Sequence, residues 1–401
     1  MSQSISVIGL AGISWRDLEL LMEKWIWKNE KWPQFHWSGA AINPLLREVR
    51  NKLGLLLGMT SASAFDGSLD SQALDTLLAN IVASSAIENE RLNAESVRSS
   101  LAKRFGISSE RTYPVSESSE GLAEMLFDAL SRDGIERPLT KERLFRWHEC
   151  LFPGCDDLII GSRVSPGKLR GPEVMQVVSG RIDRPVVHFE APPRDGLEEQ
   201  LDEFLAWFEE SRSEQEQDPL LRAGIAHLWF VTLHPFDDGN GRLTRMLTDL
   251  ALAQADHHVV RLYAMSVSIL DKRAEYYSAL KKAQRGTTDI TSWLEWFYAT
   301  LIHTLDDAQK KVSTTVAKAE FWLKNRSLSL KPEQLKVLNR MLDGGEKGFE
   351  GGISASQYQS VAKVSKATAT RHLAELLENG CLVKGAGGGG SSRYFINTSK
   401  K

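Results

Sequence analysis

The chain has 401 residues, 42% of them hydrophobic and 25% charged, with a net charge of −3. That length predicts at least two domains, the composition is that of a globular protein, and no apolar run is long enough to span a bilayer. Three cysteines, Cys150, Cys155 and Cys381, form no disulfide framework and suit a reducing cytosol, and the N-terminal MSQSISVIGLAGISW lacks the basic region of a signal peptide.

Three regions are predicted, at 1–60, 61–325 and 327–401. The first is rich in Trp and helix formers. In it KWPQFHW reads as a packed turn, with Pro33 breaking the helix between Trp32 and Trp37. LLREVRNKLGLLLG follows, with Leu45, Val49, Leu53 and Leu56 at helical spacing. The body is mainly helical. LDTLLANIVASSAIENERL sets Leu74, Leu77, Leu78, Ile81 and Val82 on one stripe, puts Ser84 and Glu88 one turn apart, and reaches Asn89 where the helix would end. Cys150 and Cys155 flank LFPG and read as packing thiols. EVMQVVSGRIDRPVVHFEAPP holds two β-rich runs, around Val174–Val178 and Val187–Phe189. Ser179-Gly180 separates them, so they read as a hairpin bounded by Pro192-Pro193. GLEEQLDEFLAWFEE then places Leu197, Leu201, Phe204, Leu205 and Phe208 on one helical face.

The apolar LLRAGIAHLWFVTL is a buried-helix pattern that Pro235 stops near His234. His227, two turns before His234, reads as a buried, satisfied histidine. A second helix is predicted after Gly241, with Leu243, Met246, Leu247 and Leu250 at apolar spacing. HPFDDGNGRLTR, residues 234–245, is thus a helix-loop-helix junction. Gly239-Asn240-Gly241 permits backbone conformations closed to other residues, and its N–H groups with the following helix start form an anion nest. Arg242 and Arg245, three apart, can address the same phosphate-like anion. A carboxylate beside such a site needs a cation between, so Asp238 predicts Mg²⁺ shared with phosphates. His234 at the lip can take a proton from a hydroxyl. Together these are equipment for moving a phosphorus-centred group. Further along, His257-His258 is no convincing metal pair, because adjacent side chains diverge. In EYYSALKKAQ, Tyr277 and Leu280 also fit an ordinary core stripe.

HPFDDGNGRLTR matches the signature His-Pro-Phe-x-(Asp/Glu)-Gly-Asn-Gly-Arg-x-x-Arg at every defined position, and through it the chain resembles the Fic-domain family. The resemblance covers roughly residues 1–310, although only this motif is diagnostic. It implies a mainly α fold: a Fic-type helical core with a β-hairpin flap at about 174–189, a helical segment before it, and an added C-terminal domain. It implies an AMP transferase using ATP and Mg²⁺ to modify a Ser, Thr or Tyr hydroxyl of a target protein, with release of pyrophosphate. It assigns His234 as base and Asp238 as Mg²⁺ ligand. Gly239, Asn240, Gly241 and Arg242 are assigned to the α- and β-phosphates and Arg245 to the γ-phosphate, while Phe236 anchors the loop. Asp237 falls at the variable position and receives no role. Ser84, Glu88 and Asn89 resemble the family's inhibitory motif (Ser/Thr)-x-x-x-Glu-(Gly/Asn), on a helix at about 72–90, which implies that Glu88 occupies Arg245. The flap, through Val174, Val177 and Val178, is implied to dock the target's main chain. Tyr276, Tyr277 and Gln284 lie where relatives close over the nucleoside, with Gln284 in place of Asn. A homodimer is a further expectation from the resemblance.

From Ser327 to Lys401 there are 11 Lys+Arg against 6 Asp+Glu, a net of +5, which leaves −8 for the rest. This section predicts a helix at about 355–363, a second helix ending at Gly380, and strands at Cys381–Lys384 and Arg393–Ile396. The layout resembles a winged helix-turn-helix. A DNA-binding version would present Ser365, Lys366, Thr368, Thr370 and Arg371 to the major groove, whereas a protein-binding version would not. Three alternative functions remain open at this level: removal of AMP from a modified protein at the same site, a nucleotide-sensing transcriptional regulator, and transfer from a different donor such as another nucleotide or a phosphocholine conjugate.

Overall fold

A computed structural model describes residues 25–61, 68–107, 113–154, 164–181, 184–213, 218–256, 262–344, 349, 351–385 and 392–397. Cys155 and His257-His258 lie outside the described residues. The chain divides into two compact units, Met1–Leu53 with Asp70–Leu305, and Gly54–Leu69 with Asp306–Lys401. The helices are α1 (Gly39–Ser61), α2 (Ser68–Ile87), α3 (Ala94–Phe105), α4 (Glu117–Leu130), α5 (Arg132–Glu136), α6 (Lys141–Leu151), α7 (Leu197–Glu210), α8 (Pro219–Leu233), α9 (Asn240–Asp256), α10 (Met265–Asp271), α11 (Arg273–Ala283), α12 (Thr291–Lys324), α13 (Pro332–Leu342), α14 (Ala355–Ala362) and α15 (Lys366–Glu378). Two antiparallel hairpins, β1 (Gln176–Arg181) with β2 (Arg184–Glu190) and β3 (Leu382–Lys384) with β4 (Tyr394–Ile396), supply the named strands. Among the described residues, no helix is long and apolar enough to cross a membrane.

In the first unit the core is built around α8. Every residue from Leu220 to Leu233 is buried, as expected of a helix that is apolar all round. Asp218 caps its start, accepting from Leu220 N at 3.0 Å, and Pro219 sits where its missing N–H costs nothing. Helix α9 packs along α8 with Leu243, Met246, Leu247 and Leu250 buried. Helix α7 covers α8 with the predicted face, since Leu197, Leu201, Phe204, Leu205 and Phe208 are all buried. Close approach to α12 depends on Gly224, where a Cβ would lie 2.8 Å from Leu294 Cδ2, and Trp293 Nε1 donates to Gly224 O at 2.8 Å.

Three expectations need correction. In α1 the buried stripe is Ile42, Leu46, Val49, Leu53 and Leu56. Leu45 is half-buried, because the alternating steps of four and three from Ile42 fall on Leu46. In α2, Leu78 and Val82 are also half-buried, and the deep positions are Ala73, Leu74, Leu77, Asn80 and Ile81. Asn80 was invisible to an apolar count, yet it is buried and donates to Asp249 Oδ2 at 2.6 Å. In the first hairpin, Ser179 and Gly180 are not the turn. They pair with Val186 and Pro185 inside the ladder, which runs on to the pair Arg181↔Arg184. Val174 precedes β1 and is 73% exposed. A register shift at Val177/Val178 marks a bulge, which the alternation pattern alone does not specify.

The second unit has its own core of Phe321, Val337, Leu338, Met341, Tyr358, Leu373, Leu376 and Leu382, among others. Ser354 starts α14 with a capping box and Ser365 caps α15 through Thr368 N. Between these helices Lys363 takes a left-handed conformation, φ 55, which makes the turn tight. Helix α15 leads into β3, whose three residues pair with β4 in the register Leu382↔Ile396, Val383↔Phe395, Lys384↔Tyr394.

Candidate active site

The junction between α8 and α9 bends on two left-handed residues. His234 caps α8 at φ 49, ψ 56, and Gly239 turns into α9 at φ 81. A Cβ at Gly239 would meet Phe152 Cε2 at 3.0 Å and Leu151 Cδ1 at 3.1 Å, so glycine is required by both conformation and space. Asn240 pins the loop from within. Its Oδ1 accepts from Phe236 N at 3.0 Å and its Nδ2 donates to Phe236 O at 2.8 Å. The Asn240 side chain is therefore a staple. The first helical bond runs from Leu243 N to Gly239 O at 3.0 Å, so the N–H groups of Asn240, Gly241 and Arg242 project from the helix start, with its partial positive charge.

Phe236 is fully buried and stacks on His148 at 4.1 Å, with Phe145 edge-on at 5.7 Å. His148 accepts from Gly167 N at Nδ1 (3.0 Å), so its Nε2 carries the proton and donates to Asp238 O at 3.1 Å. Asp238 itself is exposed, and its Oδ1 accepts from Gly239 N at 2.5 Å. Asp237 accepts weakly from Gly171 N at 3.4 Å.

His234 is partly exposed. Its Nδ1 lies 3.2 Å from Val231 O, and a carbonyl only accepts, so Nδ1 holds the proton and Nε2 keeps a free lone pair. Packing around the ring, and less strongly the Arg170 guanidinium, hold its pKa below the usual histidine value, against the raising influence of Val231 O, Glu88 and Asp238. The imidazole is thus neutral at neutral pH. Arg170 fixes the backbone here. It is 2% exposed, and it donates from Nε to His234 O at 2.9 Å, from its main chain to Pro235 O at 3.0 Å and from Nη2 to Pro192 O at 2.5 Å. Nothing in the sequence marked Arg170 or His148, because both act through contacts more than 60 residues away.

Both motif arginines are buried and engaged. Arg245 donates from Nε to Ser84 Oγ and from Nη2 to Ser84 O, both at 2.8 Å, and pairs with Glu88 Oε1 at 2.9 Å. Helix α2 ends at Ile87, so Glu88 stands in the turn just past it and Asn89 takes φ 63. A Cβ at Gly241 would lie 2.1 Å from Glu88 Oε1, so the carboxylate rests directly over the start of α9. Arg242 lies over Phe152 at 4.9 Å and pairs with Glu90 at 2.6 Å, an acid the sequence reading did not single out.

A cavity of about 540 Å³ lies at the junction, lined by Glu88, His234, Asp238 and Gly241, by Val177 and Val178 of the hairpin, and by α11; Arg242 and Arg245 are not among its lining residues. Its size is that of a small-ligand site. Tyr276 is buried, with its hydroxyl 3.0 Å from His227 Nε2, whereas Tyr277 is 38% exposed and faces Glu88 at 3.5 Å. Gln284 is buried and donates to Thr232 Oγ1 at 3.3 Å. Val174 is not among the lining residues. Among the described residues no group of three or more His, Cys, Asp or Glu is arranged to hold a metal ion. A single carboxylate, Asp238, suits a cation whose other ligands are substrate phosphates and water.

His227 is fully buried between Thr248 Oγ1 (2.9 Å) and Tyr276. Burial lowers its pKa to about 3, and that of His148 to about 4. Both values lie below the unfolded value of about 6.5, so both neutral rings stabilise the fold above that pH. The contribution is lost as pH falls from about 6.5 towards 4 and 3, at up to about 1.4 kcal/mol per pH unit for each ring. Denaturant titrations at pH 7 and pH 5 should therefore show a large loss of stability, and His227→Gln should make the slope shallower. An unchanged slope would remove His227 from this role.

Residues 138–252 match the family model described as Fic/DOC family, and residues 25–107 match one described as a domain of unknown function, DUF4172. The chain is 39% identical over 88 residues to the protein adenylyltransferase fic-1 of Caenorhabditis briggsae, covering 22% of this chain and 16% of that one. It is 31% identical over 123 residues to a uridine 5'-monophosphate transferase of Xanthomonas campestris pv. campestris, covering 29% of this chain and 21% of that one. A crystal structure of a Fic family protein from Desulfovibrio desulfuricans G20 aligns with a TM-score of 0.49 at 21% identity, covering 89% of this chain and 97% of that one. The two relatives are thus matched over less than a quarter of their own lengths.

Proposed function

We propose that this chain, which carries a Fic/DOC domain over residues 138–252, is an autoinhibited protein adenylyltransferase. One observation carries the reading. A neutral imidazole with a free Nε2, an exposed carboxylate and the N–H groups opening α9 meet in one cavity. In the proposed reaction the triphosphate of ATP lies on the α9 start. The N–H groups of Asn240, Gly241 and Arg242, with the Arg242 guanidinium, hold the α- and β-phosphates, and Arg245 holds the γ-phosphate. Asp238 would hold Mg²⁺, which neutralises phosphate charge and helps pyrophosphate depart. The target's hydroxyl oxygen attacks the α-phosphorus and the bond from that phosphorus to the bridging oxygen breaks. Pyrophosphate leaves and the hydroxyl proton passes to His234 Nε2. The target is presented by the β1–β2 hairpin, whose strands pair only with each other among the described residues and so keep edges for an extended segment.

Autoinhibition follows from Glu88. Its carboxylate holds Arg245 and also covers the helix start, where an anion is favoured. A γ-phosphate kept off Arg245 leaves the α-phosphorus misaligned for in-line attack. The cradle reads phosphates more than the base, so the donor is tested and not assumed. Glu88→Gly incubated with Mg²⁺ and ATP, or with UTP, and analysed by mass spectrometry is expected to gain an adenylyl group on a Ser, Thr or Tyr. A uridylyl gain instead would correct the donor, and no gain on the protein or any lysate target would count against transfer. Loss of AMP from a pre-modified target, with metal and without ATP, would favour the reverse reaction.

For the second unit, a winged helix-turn-helix reading rests on the α14–turn–α15 layout followed by the β3–β4 hairpin. Lys363, Lys366, Thr370 and Arg371 are exposed, while Thr368 is tied to the Ser365 cap. Such a cation-rich helix start suits the phosphate backbone of DNA. A gel shift on the gene's upstream region, weakening steeply with salt, would support DNA binding. No shift at low salt would leave the unit to protein contacts.

A further inference from the structure

The segment leaving α2 carries two acids, and each meets a different arginine of the junction. Glu88 pairs with Arg245 at 2.9 Å, and Glu90 Oε2 accepts from Arg242 Nη1 at 2.6 Å. The chain folds back to make this possible. Asn89 takes φ 63, Glu90 N donates to Ser85 O at 3.0 Å, and Arg273 Nη1 donates to Asn89 Oδ1 at 2.8 Å. The Arg242 side chain is only 7% exposed, and its Nε is buried without a hydrogen-bond partner among the described residues. Arg245 Nη1 is in the same condition. Each of these two buried guanidinium groups therefore keeps an unused donor while a carboxylate holds another of its nitrogens; both line a small cavity of about 20 Å³ beside Ser84 and Met246, next to the helix start that Glu88 covers.

Resting on the nucleotide-site reading above, we propose that Glu90 is a second carboxylate gate, which lowers nucleotide affinity by holding Arg242 independently of the hold of Glu88 on Arg245. The two acids then act on different quantities. Glu88 competes for the cation of the γ-phosphate and so governs alignment. Glu90 competes for the cation assigned to the α- and β-phosphates, and it stands as a like charge beside any diphosphate that Arg242 receives. Occupancy by nucleotide requires Glu90 to swing out or to share the guanidinium. It is 36% exposed, so it has solvent to swing into. Loss of Glu88 alone leaves this second contact in place, so Glu88→Gly is only partly released.

The test is equilibrium binding of ATP with Mg²⁺ in a His234→Ala background, which prevents turnover. Glu88→Gly is compared with Glu88→Gly/Glu90→Gln, and both again with Arg242→Gln added. Glu90→Gln keeps the shape of the side chain, and a thermal melt of each variant checks folding. The expected result is about tenfold tighter ATP binding on Glu90→Gln, the scale of a charged hydrogen bond, with the difference shrinking at high salt and vanishing in the Arg242→Gln pair. Equal affinities for the first pair, or a gain that survives Arg242→Gln, overturns the role of Glu90 and leaves the nucleotide site standing. Failure of ATP to bind any of the four variants overturns the site and, with it, the gate.

Discussion

Glu88→Gly is expected to raise AMP transfer by about 10²-fold over the wild-type chain, the scale of rate lost when reacting atoms are misplaced by about an ångström. The expectation comes from what the carboxylate touches. Its Oε1 is 2.9 Å from Arg245 Nη2 and lies over Gly241 at the start of α9. Removing it frees the buried cation and the anion-favouring end of the helix at once. Arg245 keeps its two bonds to Ser84, so the guanidinium stays in place to meet a phosphate. A kinetic comparison with α-labelled ATP checks this, and a gain in kcat with little change in KM would match a defect of alignment. A wild-type chain as active as Glu88→Gly would mean that the pair does not restrain the reaction.

His234→Ala, added to Glu88→Gly, is expected to reduce transfer by between about 10² and 10⁴, the range for loss of a general base. The tautomer fixed by Val231 O leaves Nε2 as acceptor, and neither His148 nor His227 can replace it, although His188 of the hairpin also lines the cavity. His148 and His227 are fully buried, with both ring nitrogens bonded elsewhere. The rate of Glu88→Gly should also hold up below pH 6.5. The pKa of His234 is lowered, so its ring stays neutral and able to accept a proton until the pH falls past that lowered value. An acidic limb at or above the ordinary histidine value would place the proton acceptor elsewhere. ATP binding should survive His234→Ala, because the ring is not assigned to the phosphates.

Much of this site was legible in twelve residues, because a helix stop, a glycine turn and a helix start leave their marks locally. Pro235 and Gly239 dictate the bend, and Phe236 could only be an inward anchor. The Ser84–Glu88 spacing was legible because both residues lie within one turn of the same segment. What was not legible is long-range. Glu90 reaches Arg242 across 152 positions, and Arg170 reaches His234 across 64. No periodicity encodes such pairs. Asn240 shows a subtler limit: its place between two glycines at the helix start is legible, but the bonding of its amide to the Phe236 main chain is not. The hairpin was misread at its turn because Ser-Gly is a common turn signal, whereas here the ladder runs through it.

The most direct measurement is a crystal structure of Glu88→Gly/His234→Ala with ATP and Mg²⁺. The expected arrangement has the β- and γ-phosphates on the α9 start, with Arg245 on the γ-phosphate where the Glu88 carboxylate had been, Asp238 facing the cation, and the α-phosphorus open towards position 234. A triphosphate bound away from residues 239–245, or one that leaves Arg245 on Ser84 alone, would contradict it.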